Sequence, residues 1–211
     1  MRKELEKRLI KKYPALYLEQ SKNKNLRIEC DDGWYMIVET VSKLLNENKS
    51  YVGRVRFIKH SGFLKPDFAM LTSKADYLFG IANMAFLVSQ VVCEQCGARG
   101  TELSNYRGTA CELHGGENDI TSDFLVLPCQ MEYFGGMWSV LISNLHLLIV
   151  GHQEENLMPK VKITKIFKKN GRLKIEYTGG NEVTRGMVRF IEEYASNINE
   201  ETGCFNFDSD C

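Results

Sequence analysis

Several things are missing from this sequence, and each absence excludes something. No apolar run approaches the roughly 20 residues that a membrane-spanning helix needs. The charged opening, MRKELEKRLIKKYPALY, has no apolar signal core behind it, so the expected compartment is the cytoplasm. Net charge is missing too, because Lys+Arg 27 balances Asp+Glu 27. That removes bulk attraction to nucleic acid or anionic membrane and leaves only local patches. A disulfide framework is also absent: the cysteines number 7, an odd count in a chain without a signal core. What remains is ordinary globular material, 44% hydrophobic and 26% charged over 211 residues. That length suits one large domain or two of about 100 residues each.

The cysteines are not scattered. Cys93 and Cys96 form one C-x-x-C pair, and Cys111 with His114 forms a C-x-x-H pair. Gly97, Gly100 and Gly108 lie between them and permit tight turns. Two such pairs supply the four corners of a tetrahedral site. A donor set of three thiolates and one imidazole is soft and closed, which points to one structural zinc ion. The alternative is two free cysteines after a helix and a surface histidine.

The chain also repeats itself. Asp31-Asp32-Gly33 precedes Trp34, Ile37, Val38, Val41, Leu44 and Leu45, one apolar face of a helix. Gly135-Gly136 precedes Trp138, Leu141, Ile142, Leu145, Leu148 and Ile149 at identical spacing. A strand candidate, 51–59, leads to Gly62-Phe63-Leu64-Lys65-Pro66-Asp67-Phe68; another, 160–168, leads to Gly171-Arg172-Leu173-Lys174-Ile175-Glu176-Tyr177. Asn170-Gly171 is a strong hairpin signal. Pro66 removes a donor, so its strand is expected at an edge or broken. A second helix follows each hairpin, over about 74–91 and about 183–197, with Leu78 and Ile81 matched to Met187 and Phe190. The expected architecture is α+β: two tandem copies of a helix–β-hairpin–helix unit, the first closed by a zinc knuckle. The expected divisions are 1–114, a linker at 115–131, and a degenerate second copy at 132–211. Cys204 and Cys211 read as a decayed knuckle, a replacement ligand, or part of a frayed acidic tail.

Lys12-Tyr13-Pro14-Ala15-Leu16-Tyr17, Ile28 to Tyr35 with its Gly33-Trp34, and Cys93-Glu94-Gln95-Cys96-Gly97 with Cys111-Glu112-Leu113-His114 stand in one order along the chain. In these segments the sequence resembles a widespread family of small phage and bacterial zinc-knuckle proteins. That family often carries a KEKFGxLRFY-like segment before the knuckle. Here the better match is in the second copy, Lys165 to Tyr177, while the first copy departs in its hairpin. The resemblance covers 1–114 well and 132–200 loosely. It implies a zinc-binding α+β module carried on mobile elements, and no activity or catalytic residue comes with it.

Three functions follow as expectations. The first is a non-enzymatic interaction protein that binds a host or defence protein, with two copies suited to a dimeric target or to self-assembly. Tyr35, Tyr133 and Phe134 are the partner-binding candidates, whereas Trp34 and Trp138 read as core. The second is nucleic-acid binding. Lys160, Lys162, Lys165, Lys168, Lys169, Arg172 and Lys174 would form a positive ridge on the hairpin, supported by the basic residues of 2–12. The competing reading is a solvated strand face protected by lysines. The third is an enzyme, and its residues are thin. Glu117 and Asp119 follow His114 and could hold a second metal, and Cys129 could pair with His146 or His152. Asp31-Asp32 is explained as an acidic helix start.

Overall fold

The structure is a computed structural model that describes residues 1–22, 26–48, 55–68, 75–103, 108–116, 130–131, 134 and 136–205. Its architecture is α+β. Two N-terminal helices, α1 (Lys3–Lys12) and α2 (Pro14–Lys22), bury Leu9, Tyr13, Leu16 and Tyr17. The Tyr17 hydroxyl is 2.5 Å from Ser42 Oγ, which in turn donates to the Val38 carbonyl at 2.6 Å. These bonds fix the helical pair against the helix that carries Val38 and Ser42.

One order of elements then occurs twice. The first set is β1 (Arg27–Ile28), a 3-10 turn (Asp32–Trp34), α3 (Tyr35–Glu47), the hairpin β2 (Val55–His60) and β3 (Phe63–Phe68), and α4 (Ala75–Ser89). A small hairpin, β4 (Thr101–Glu102) with β5 (Thr109–Ala110), and a second 3-10 turn (Glu112–His114) follow it. The second set is β6 (Gln130–Met131), α5 (Gly136–Glu154), β7 (Val161–Lys169), β8 (Arg172–Gly179) and α6 (Glu182–Ala195). The sheets match in topology. β1 runs parallel to β2 with Ile28 opposite Phe57, and β6 runs parallel to β7 with Met131 opposite Ile166. Both hairpins close on two left-handed residues, Ser61-Gly62 and Asn170-Gly171, the backbone that a two-residue type I′ turn requires.

β3 and β8 each form one edge of their sheet, opposite the short β1 and β6, as Pro66 foretold for β3. Neither edge is open for pairing at its centre. The Leu64 N–H donates to Ser89 Oγ of α4 at 3.0 Å, and Pro66 has no N–H to offer. On the other edge the Ile175 N–H donates to Glu192 Oε1 of α6 at 3.0 Å. Each second helix thus takes up one outward N–H at the centre of that edge.

α4 and α6 also pack on each other, and the two sets share one hydrophobic core. The crossing needs glycine on both sides. A Cβ on Gly80 would lie 2.1 Å from the Val183 carbonyl oxygen, and one on Gly186 would lie 2.1 Å from that of Tyr77. These paired contacts relate Gly80 to Gly186 and Ile81 to Met187. The expected match of Leu78 to Met187 is therefore displaced by roughly one helical turn. An amphipathic repeat looks alike after one turn, so periodicity could not set the register. Most of the expected linker, 117–129, lies outside the described residues.

Candidate metal centre

The four predicted ligands meet. Ligand atoms of Cys93, Cys96, Cys111 and His114 all lie within 4.8 Å of one another, and together they can hold a metal ion. His114 Nδ1 is 3.4 Å from Cys93 Sγ and 3.2 Å from Cys111 Sγ, and Cys96 Sγ is 3.6 Å from Cys111 Sγ. Cys93 and Cys111 are buried, while Cys96 and His114 are partly exposed.

Local backbone chemistry sets up this convergence. The chain leaves α4 and turns back at once, with Val92 bridged to Arg99. The Cys93 N–H donates to the Ala98 carbonyl at 2.8 Å, and the Gly97 N–H donates to the Cys93 carbonyl at 2.9 Å. Gly97 has φ +83°, a left-handed conformation that glycine adopts without strain. β4 and β5 then return the chain, and the 3-10 turn after Cys111 lifts His114 back over the thiols, its N–H donating to the Cys111 carbonyl at 2.9 Å. Burial works to raise the Cys93 thiol. Backbone N–H groups of Cys96, Cys111 and Gln95 oppose this and bring it below its ordinary value. Burial, with the charge on Cys93 beside it, pushes the Cys96 thiol up. A cation between Cys93 and Cys96 would relieve this repulsion.

The knuckle is built into the core. The Gly33 N–H donates to the Glu94 carbonyl at 2.8 Å, and a Cβ on Gly33 would lie 2.2 Å from the Cys93 carbonyl oxygen. The indole N–H of Trp34 donates to the Val92 carbonyl at 2.9 Å. Lys59 lies 5.8 Å from the Trp34 ring and forms an ion pair with Glu94, the residue inside the C-x-x-C pair.

A matching turn follows α6. Ile198 is bridged to Phe205, the Asn199 N–H donates to the Cys204 carbonyl at 2.8 Å, and the Gly203 N–H donates to the Asn199 carbonyl at 3.0 Å. Gly203 has φ +80°. Asn199 therefore stands where Cys93 stands, Thr202 where Cys96 stands, and Gly203 where Gly97 stands. The Asn199 side-chain oxygen accepts from the Glu201 and Thr202 N–H groups at 2.9 and 3.0 Å. Those positions match Gln95 and Cys96, whose N–H groups point at the Cys93 thiol. Lys168 repeats Lys59, lying 5.5 Å from the Trp138 ring and 2.5 Å from Glu200. Cys204 occupies the position of Ala98 in this turn and is buried. Cys211 lies outside the described residues. The matching Gly97 and Gly203 carry the sequence signal for this turn.

Other expected residues fall differently. Tyr35 was expected at the surface, yet it is 4% exposed, edge-on to Phe205 with ring centroids 6.4 Å apart. Its helix is enclosed on more than one face, so a position beside the apolar stripe is still interior. Phe134 is 2% exposed and packs on Trp138. Neither can anchor a partner in this conformation. Trp34 and Trp138 are core residues, as expected. Tyr133, Glu117, Asp119 and Cys129 lie outside the described residues. Lys162, Lys165, Lys169 and Arg172 are exposed on the β7–β8 hairpin, with Lys165 4.7 Å from the Phe167 ring. Lys168 and Lys174 are committed to Glu200 and Glu192. The Asp32 carboxylate accepts from the Arg2 N–H at 2.7 Å and pairs with its guanidinium, which ties down the N-terminus.

No family model, no curated protein and no solved structure matches this chain. Among the described residues no helix is long and apolar enough to cross a membrane.

Proposed function

We propose that this chain is a non-enzymatic, zinc-stapled interaction protein that arose by tandem duplication and acts by binding another macromolecule. The observation that carries the reading is the closed donor set of Cys93, Cys96, Cys111 and His114. Zinc–sulfur bonds of about 2.3 Å and a zinc–nitrogen bond of about 2.0 Å put tetrahedral neighbours about 3.8 Å (S to S) and about 3.5 Å (S to N) apart. The separations of 3.6, 3.4 and 3.2 Å fit that frame with little contraction. Four protein ligands leave no open position for substrate or water, which favours a structural ion over a catalytic one. The matched turns at Cys93–Gly97 and Asn199–Gly203 support duplication, with the second copy keeping the turn and losing the metal.

The partner is a protein of the host or of its defences, in the mobile-element setting that the family resemblance suggests, and the compartment is the cytoplasm, where thiolates stay reduced. The N–H groups taken up at the centres of β3 and β8 disfavour strand addition there and favour helix and hairpin faces for docking. Metal analysis tests the first part: about one zinc per chain is expected, and less than about half would sink it. For the second part, the purified chain is cross-linked in host lysate, and one recurrent partner is expected that survives nuclease treatment and is lost after zinc removal.

Exposed Lys162, Lys165, Lys169 and Arg172 favour one second reading, nucleic-acid binding along the β7–β8 hairpin. Filter binding across a salt series separates the two. Affinity that falls steeply with salt and weakens in Lys165→Glu and Arg172→Glu supports it. No binding at low salt removes it.

A further inference from the structure

A cleft of about 430 Å³ opens between the edge strand β3 and α4, and none of the four candidate metal ligands lines it. Its volume falls within the roughly 300–1,000 Å³ of small-molecule sites. Among the described residues, Pro66, Phe68, Phe79, Ala82 and Phe86 make it mostly apolar, and Lys65 stands in its wall. The groups that matter are accessible. Phe79 is 46% exposed, Lys65 is exposed, and Phe68, Ala82 and Phe86 are half-buried. Phe86 meets Phe63 edge-on at 5.8 Å, and Phe79 lies 6.0 Å from the His152 ring, so both rings are held by neighbours.

The second set of elements shows what chemistry belongs at this place. Matching the turn glycines Gly62 and Gly171, and the crossing glycines Gly80 and Gly186, puts Lys65 where Lys174 stands, Pro66 where Ile175 stands and Phe86 where Glu192 stands. In the second set the Glu192 carboxylate fills the place. Its Oε2 lies 2.8 Å from Lys174 Nζ, and its Oε1 accepts the Ile175 N–H at 3.0 Å. In the first set Phe86 brings no carboxylate and Pro66 has no N–H. Lys65 is left without an ion pair among the described residues. Asp67 also reaches the wall, but it stands opposite Arg56 across the hairpin, a pairing of opposite charges. Lys65 is therefore a surplus cation beside a ring-lined apolar cleft, and it suits a ligand that brings its own carboxylate.

We propose that this cleft binds a small aromatic carboxylate, with its ring among Phe68, Phe79 and Phe86 and its carboxylate on Lys65, as Glu192 lies on Lys174 in the second set. Offset and edge-on contacts between rings add to the area they bury, which favours an aryl acid over an alkyl one. The site goes beyond the zinc-stapled reading and does not depend on it.

Calorimetric titration of the full chain with 4-phenylbutyrate tests it, beside 4-phenylbutan-1-ol, which lacks the charge, and hexanoate, which lacks the ring. Saturable binding of 4-phenylbutyrate is expected, with the alcohol about fivefold weaker and hexanoate weaker than the aryl acid. Lys65→Met keeps the apolar stem and should erase the preference for acid over alcohol. Phe86→Glu supplies the carboxylate of the second set from within the chain and should abolish binding. The proposal is overturned by no saturable binding of 4-phenylbutyrate to wild type, by equal binding of the alcohol or of hexanoate, or by a preference for acid that survives Lys65→Met. Should Phe86→Glu fail to fold, Lys65→Met decides alone, because its exposed ammonium holds no ion pair among the described residues.

Discussion

Asn199 stands in its turn as Cys93 stands in the knuckle, with its amide oxygen accepting the backbone N–H groups that a thiolate accepts in the first half. One turn is held by hydrogen bonds alone and the other adds a metal-type donor set. Asn199→Ala should therefore lower stability by about 1–2 kcal/mol, because two N–H groups lose their acceptor. Asn199→Asp keeps the acceptor and should stay within about 0.5 kcal/mol of wild type. Urea midpoints at neutral pH measure both, and equal effects of the two substitutions would contradict the role assigned to the oxygen.

On the proposed zinc staple, removing the ion should act first on the knuckle half. Cys93→Ser, or chelation of the wild type, is expected to abolish cooperative folding around Trp34, since zinc binding at such sites is folding free energy. The two tryptophans report each half, Trp34 on the knuckle turn and Trp138 on the turn at Asn199. In Trp138→Phe, where Trp34 alone fluoresces, chelator should shift the emission to the red; an unmoved spectrum would argue against a structural ion.

Gly33 couples helix α3 to the candidate metal ligands. A methyl group there would press on the Cys93 carbonyl at 2.2 Å and on the Gly97 nitrogen at 2.5 Å. Backbone atoms cannot swing aside, so Gly33→Ala should weaken zinc about tenfold or more by displacing the C-x-x-C turn. A competition titration with a chromophoric chelator reads the change.

The α4–α6 crossing should be equally intolerant. Gly80→Ala places its methyl group 2.1 Å from the Val183 carbonyl oxygen. The helices must separate, at a cost of about 3 kcal/mol. Gly151 has open space around it, so Gly151→Ala should be neutral or slightly stabilising. Thermal unfolding of the two variants side by side makes the comparison.

Glu193 gives an acid-dependent contribution. Burial works to raise its carboxyl, but the Lys43 ammonium at 2.5 Å and the Asn197 amide at 3.3 Å outweigh this and hold it below its ordinary value of 4.5. The folded chain thus binds fewer protons than the unfolded one. The contribution is complete above about pH 4.5 and is lost as pH falls through the folded value. Wild type should exceed Glu193→Gln in stability at pH 7, and the gap should narrow toward pH 3. Acid release of metal is common to both proteins and cancels in the difference. A gap that widens in acid would reverse the sign.

Much of this was legible in the residues. Pairs of cysteine and histidine at short spacing leave few ways to fold except around one point, so the four ligands could be read directly. Asn170-Gly171 sets its own hairpin, and Pro66 confines its strand to an edge, because both act through local backbone chemistry. The recurrence of a helix opened by glycine and tryptophan and followed by a hairpin was visible for the same reason. The register of α4 against α6 was not, because helical periodicity repeats every turn and only the Gly80–Gly186 crossing breaks the tie. Burial of Tyr35 and Phe134 was not legible either. A sequence tells which face of a helix is apolar, but enclosure of its other faces depends on what arrives from elsewhere in the chain. The same holds for Asn199, whose likeness to Cys93 lies in backbone geometry and not in residue type. Sequence alone determined the donor set and the local turns, because those depend on near neighbours. Tertiary structure decided which aromatic rings are hidden and how the halves meet, because those depend on contacts between residues far apart in the chain.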